Sequence, residues 1–240
     1  MSFEDTNVLI TGASRGLGRA LAEGLAARGA HVVMVARAEE PLLEAVSAIR
    51  AAGGDAHAFP IDVTEDPARI VGGATAMVGP IDLVIHNAST LGPVPLLPLA
   101  ETSDEELRRT LEVNLVAPFR ITRAIVDAMV QRGAGTLVTI SSDAAVEAYP
   151  TWGAYSISKA ALDHLARVWA AELDGTGVTV VAVDPGEMDT KMHADAIPDA
   201  DPKTLADPRD VADRLIRVLE IGEGLSGQRL SASELARRAS

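Results

Sequence analysis

The apolar positions of the chain gather into short, nearly continuous runs separated by longer segments of helical period. The runs are "NVLIT", "HVVMVA", "AHAFPI", "IDLVIHN", "GTLVTIS" and "VTVVAV". Continuous rather than alternating apolar character predicts strands buried on both faces. Strands alternating with helices predict an α/β fold, a doubly wound parallel sheet with helices on both faces. Helix starts are legible too. Asp66-Pro67 supplies an N-cap with proline at the first helical position, and Ser103 with Glu106 forms a capping box. The segment "SDEELRRTLEVNLVAPFRITRAIVDAMVQR" predicts one long helix with Pro118 inside it. Proline has no N–H, so the carbonyl of Asn114 loses its helical partner and a bend is expected there. No repeat or low-complexity linker interrupts the pattern, and 240 residues suit a single domain over 1–240. The one irregular stretch, from Glu187 to about Pro208, predicts a lid or substrate loop.

Composition removes several classes of function. A net charge of −13 repels phosphate backbones and anionic lipid surfaces, so no nucleic acid and no membrane partner is expected. Cysteine is absent, which excludes disulfides, thiolate metal sites and a cysteine nucleophile. The five histidines, at 31, 57, 86, 164 and 193, lack ligand spacing, so no metal site is expected. The start "MSFEDTNVLI" has neither a basic region nor a long apolar run, and no apolar run reaches membrane-spanning length, so a cytoplasmic protein is expected.

Three local patterns carry chemistry. In "VLITGASRGLGRALAEGLAARG" a strand ends in a glycine turn that opens a helix, an arrangement that binds anions through free N–H groups and the helix dipole. Gly12, Gly16 and Gly18 are spaced G-x3-G-x-G. Gly12-Ala13-Ser14-Arg15-Gly16 also spells the G-x-S-x-G turn of a hydrolase nucleophile, although that turn belongs after several strands and this one follows the first. A tight turn alone would use the same glycines. Second, Tyr155 and Lys159 stand four apart on a helix and share a face. An ammonium beside a phenol is expected to lower the phenol pKa toward a useful range for proton transfer. The chain holds three lysines against eighteen arginines, which makes this placement notable, though a solvent-facing pair is the plain alternative. Third, Ser141 and Ser142 end the strand "GTLVTIS", where strand termini place side chains beside ligands.

Thr11 to Gly18, Asn87-Ala88, Asn114, Ser142 and Tyr155-Ser156-Ile157-Ser158-Lys159 together resemble the short-chain dehydrogenase/reductase family, over residues 6 to about 230. The resemblance implies a Rossmann fold and a catalytic set of Asn114, Ser142, Tyr155 and Lys159. It selects Ser142 over Ser141 by the thirteen-residue spacing to the tyrosine. It implies that the Asn114 carbonyl anchors a proton-relay water, although an ordinary packing kink would also explain Pro118. Cofactor contacts are implied for Gly12, Ser14, Arg15, Gly16, Leu17 and Gly18 in the glycine loop, for Asp62 and Val63 at the adenine, and for Asn87. Pro185, Gly186 and Thr190 resemble the segment that holds the nicotinamide carboxamide, and Tyr155 and Lys159 contact the cofactor as well. Asp143, Trp152, Met188, Met192 and His193 are candidates for the substrate region. "HNAS" departs from the family's N-N-A-G, and His86 there reads as a packed strand-end residue.

Such sites choose their dinucleotide at the end of the second strand, where an acid selects NAD and an arginine selects NADP. Here the strand ends in Ala36-Arg37, and Arg15 adds a second cation, so NADP(H) is expected over NAD(H), with Glu39 and Glu40 as the opposing signal. The expected activity is reduction of a small-molecule carbonyl to an alcohol, or the reverse, by hydride transfer. A non-catalytic dinucleotide-binding sensor and an esterase built on Ser14 are the rivals. The helix from about Gly153 to Leu173 has broad apolar faces, and relatives associate through it, so a homodimer or homotetramer is expected.

Overall fold

The computed structural model describes residues 3–222 and 224–239. In chain order it runs β1 (Asn7–Thr11), α1 (Gly16–Ala26), β2 (His31–Ala36), α2 (Glu39–Ala51), β3 (Asp55–Pro60), α3 (Pro67–Val78) and β4 (Leu83–His86). Then come α4 (Asp104–Leu111), α5 (Ala117–Arg132), β5 (Gly135–Ile140), α6 (Gly153–Glu172), β6 (Val178–Val183), α7 (Lys191–Ala196), α8 (Pro208–Ile221), β7 (Arg229–Leu230) and α9 (Ala232–Arg238). All neighbouring strands pair in parallel, in the order β3-β2-β1-β4-β5-β6-β7. The chain winds outward from β1 to β3 and then returns to lay β4 on the other side of β1. That reversal opens a crevice above the carboxyl ends of β1 and β4, the usual ligand position in an open α/β sheet.

The strands are apolar throughout because successive side chains enter two different cores. Val8, Ile10, Val32 and Met34 pack with α1, α2 and α8, whereas Leu9, Val33, Val35 and Val84 pack with α3, α5 and α6. Both expected helix starts form. Asp66 Oδ1 accepts from the Ala68 amide at 3.0 Å, and Ser103 and Glu106 close a reciprocal capping box.

Two expectations need correction. The long helix is not one bent α-helix. It widens into a π-turn at Glu112–Val116, where the Ala117 amide reaches the Glu112 carbonyl five residues back. The bulge sits where Pro118 removes the donor that would have met Asn114. The stretch from 187 to 208 is not irregular either. It folds into α7, a short 3-10 turn at Pro202–Thr204 and a parallel bridge between Met188 and Ala206. Thr190 caps α7, Asp201 the 3-10 turn and Asp207 the start of α8, so the polar residues of this segment serve as helix caps.

His86 is packed inside, with Nε2 2.9 Å from Thr122 Oγ1 on α5, and burial pushes its pKa down to about 4. Because the unfolded ring takes its proton first, the stability supplied by neutral His86 is complete above about pH 6.5. It is lost as pH falls toward 4, by about 3 kcal/mol. Urea titrations across this window should show a shallower loss for His86→Asn than for the parent; parallel curves would contradict the assignment.

Candidate active site

A cleft of about 670 Å³ lies over the crevice. At its floor β1 passes into the glycine loop. Gly12 adopts φ +69°, and a Cβ there would stand 2.7 Å from Ala88 Cα, so only glycine allows the loop to lie on the end of β4. Gly18 is equally confined: a Cβ would meet both Asn87 Nδ2 and the Gly12 carbonyl at 2.5 Å. Asn87 ties the two strand ends together by donating from Nδ2 to the Thr11 and Gly12 carbonyls at 3.1 and 3.0 Å.

The helix that follows is open to an anion. Arg15 occupies its N-cap in an extended conformation with no side-chain cap, and the first turn carries no acid. The amide donors and positive dipole end of α1 therefore face the cleft without a carboxylate in attendance. Arg37, at the end of β2, is largely exposed and stands 3.7 Å from Asp62. Asp62 is in turn fixed by Thr64, whose amide and hydroxyl both donate to Oδ1. A glycine cradle, a bare helix terminus and two arginines suit the phosphates of a dinucleotide.

The far half of the cleft holds the titratable groups. Lys159 is buried, and its Nζ donates to the Ile140 carbonyl at 2.7 Å while standing 5.5 Å from the centre of the Tyr155 ring. Burial pushes the lysine down to about 8, against a smaller upward pull from Asp163. Burial pushes Tyr155 up to about 12; the hydroxyls of Ser142 and Ser89 pull it down, and Asp143 and Asp184 push it up. Ser142, just past β5, donates to Asp143 Oδ1 at 2.9 Å and accepts from the Ala144 amide. Asn114 is fully buried in the π-turn. Its Oδ1 accepts from the Thr90 amide at 2.8 Å, and its Nδ2 donates to the Thr90 carbonyl and to Ser158 Oγ. It thus clamps the loop after β4 to α6.

The family described as short chain dehydrogenase matches residues 6–201. The chain belongs to that family. A short chain dehydrogenase of Pseudocercospora fijiensis is 37% identical over 80% of this chain, which spans 62% of that relative's length. A solved structure described as a short chain dehydrogenase from Pseudomonas syringae superposes with a TM-score of 0.89 at 31% identity, over 96% of each chain. Another, from Escherichia coli CFT073 and complexed with NADPH, gives 0.84 at 30% identity, over 95% of this chain and 97% of that one.

In this short-chain dehydrogenase the cleft gathers nearly every residue expected from the sequence. Only Gly18 and Asn114 do not line it; they stand behind the lining and shape it. Two interactions characterise the free protein. In the free protein desolvation of the phenol prevails and holds Tyr155 above its ordinary value, while the Lys159 ammonium lies over the ring and donates to the Ile140 carbonyl. Ser142 lines the cleft within reach of the Tyr155 phenol and also donates to Asp143 Oδ1.

Sequence reading missed a supporting ion network. Arg229 on β7 donates to Asp163 Oδ2 at 2.7 Å, to the Ser142 carbonyl at 2.7 Å and to Asp184 Oδ2 at 3.3 Å. It joins α6, the loop after β5 and the end of β6 behind the site. The signal was weak, because three residues so distant in sequence share no pattern. Tyr149 was also missed; its hydroxyl donates to Asp143 Oδ2 at 2.9 Å.

A buried ammonium is a cost to the fold. With the folded pKa at about 8, below the ordinary lysine value, the cost is about 3 kcal/mol below pH 8 and disappears above about pH 10.5. Lys159→Met relieves it but forfeits the bond to Ile140, a loss of about 1–2 kcal/mol. Denaturation at pH 7 should therefore find the variant about 1–2 kcal/mol more stable than the parent, with the advantage gone at high pH; a less stable variant at pH 7 would contradict it.

Proposed function

We propose that this short-chain dehydrogenase reduces a small-molecule carbonyl to an alcohol with NADP(H), or runs the reverse reaction, using Ser142, Tyr155, Lys159 and Asn114. The observation that carries the reading is the buried Lys159 beneath Tyr155, at the end of β5 beside Ser142 and open to the cleft. Burying an ammonium costs more than its one hydrogen bond returns, which points to a role beyond packing.

The phosphates would rest on the amides of the glycine loop, on Ser14, Gly16 and Leu17. Arg37 and Arg15 would take the 2′-phosphate, Asp62 and Val63 the adenine, and Pro185, Gly186 and Thr190 the carboxamide. When bound, the reduced nicotinamide supplies hydride, two electrons with a hydrogen nucleus, to the carbonyl carbon. Tyr155 gives its phenolic proton to the oxygen, and Ser142 turns from Asp143 to hold that oxygen during transfer. Lys159 binds the nicotinamide ribose and stabilises the phenolate left on Tyr155. Asn114 sets the loop that carries Ser89, one of the two hydroxyls facing the phenol. Its carbonyl, deprived of a helical partner by Pro118, receives a relay water. Absence of an acid at the end of β2 supports NADP(H) over NAD(H).

The test follows absorbance of NADPH and NADH in parallel against a panel of ketones, aldehydes and pteridines. NADPH-dependent reduction is expected, with Arg37→Asp reversing the cofactor order. Tyr155→Phe should cut kcat by about 10³-fold while dinucleotide binding persists. Cofactor binding with no consumption across the panel would instead favour the sensor.

A further inference from the structure

The wall of the cleft beyond Ser142 is aromatic and carries a carboxylate that meets no cation. Tyr149 and Trp152 stand edge to face with centres 6.3 Å apart, and Trp152 and Tyr155 do the same at 5.8 Å. Asp143 lies along the same wall. Its Oδ1 accepts from Ser142 Oγ and the Ala144 amide, and its Oδ2 accepts from the Tyr149 hydroxyl. Among the described residues no lysine, arginine or histidine forms an ion pair with it. The cations nearby are engaged elsewhere: Lys191 with Asp195, and Arg229 with Asp163 and Asp184. His193 stands 3.6 Å from Glu187.

Resting on the reaction proposed above, we infer that the substrate carries an alkylated ammonium group a few bonds from its reacting carbon, held by Asp143 against the rings of Tyr149 and Trp152. A carboxylate that shares a wall with aromatic rings is an arrangement that attracts such a group. Met188, Met192 and Ile197 also line the cleft and suit alkyl groups better than a hydrated primary ammonium. Chemistry at the reacting end gives a second, independent reason. Asp143 accepts the Ser142 hydrogen bond that a carbonyl oxygen would otherwise receive, and its charge works against ionisation of Tyr155. A cationic group at Asp143 weakens both effects at once. A neutral substrate leaves both in force.

The test has a binding arm and a turnover arm. In the first, choline and its uncharged isostere 3,3-dimethylbutan-1-ol are titrated against tryptophan emission of the full chain at constant ionic strength. Choline should bind about tenfold more tightly, and Asp143→Asn, shown by its melt to be folded, should erase the difference. In the second, trimethylammonioacetaldehyde is compared with 3,3-dimethylbutanal in the presence of NADPH. The ratio of kcat/KM values should exceed about tenfold in the parent and fall toward one in Asp143→Asn. Equal binding of the two alcohols, or a preference that survives the substitution, overturns the inference while leaving carbonyl reduction intact. Failure to reduce any carbonyl overturns the proposed reaction, and the binding arm still decides the ammonium site.

Discussion

The architecture of the cleft turns on an ammonium kept away from water. Lys159 is surrounded by the fold, with one carbonyl, that of Ile140, as its hydrogen-bond acceptor. Everything that makes this tolerable lies close by. The strand β5 ends where its last carbonyl can accept from Nζ, and Asp163, one turn further along α6, contributes an opposite charge. Arg229 then neutralises Asp163 and reaches the Ser142 backbone, so the lysine and the serine are positioned by one connected network. Such an arrangement sacrifices stability to keep a charge beside the cleft.

The two halves of the cleft have opposite electrostatic characters. Over the glycine loop, Arg15, Arg37 and the uncapped start of α1 create a positive region in a chain of strongly negative net charge. Beyond Ser142 the wall is aromatic and carries Asp143, which forms no ion pair among the described residues. Anionic cofactor phosphates and a cationic substrate would thus be drawn to different ends of one crevice, which fixes their relative orientation before any close contact forms.

Much of this was legible in the sequence because it depends on local rules. Continuous apolar strands predicted burial on both faces, and Asp66, Pro67, Ser103 and Glu106 marked helix starts that formed as expected. Gly12 was legible as a turn, but its intolerance of a Cβ comes from Ala88, seventy-six residues away. The π-turn was half legible: Pro118 signalled a disturbance, whereas its form depended on packing against α6. The order in the 187–208 segment was hidden because aspartate caps look like loop residues until the helices they start are seen. The states of Tyr155 and Lys159 were illegible for a similar reason. Spacing shows that two groups meet, but desolvation and the competing Ile140 acceptor decide which protonation state prevails.

On the proposed reaction, this buried pair is set for proton transfer only when a dinucleotide completes the site. This is tested most directly by titrating the Tyr155 phenol, through phenolate absorbance differenced against Tyr155→Phe, in the free protein and with oxidised NADP bound. Ionisation is expected at about 12 in the free protein, with a large fall toward neutrality in the complex, where the cationic nicotinamide would add its charge to that of Lys159. The same high value in both states would contradict it.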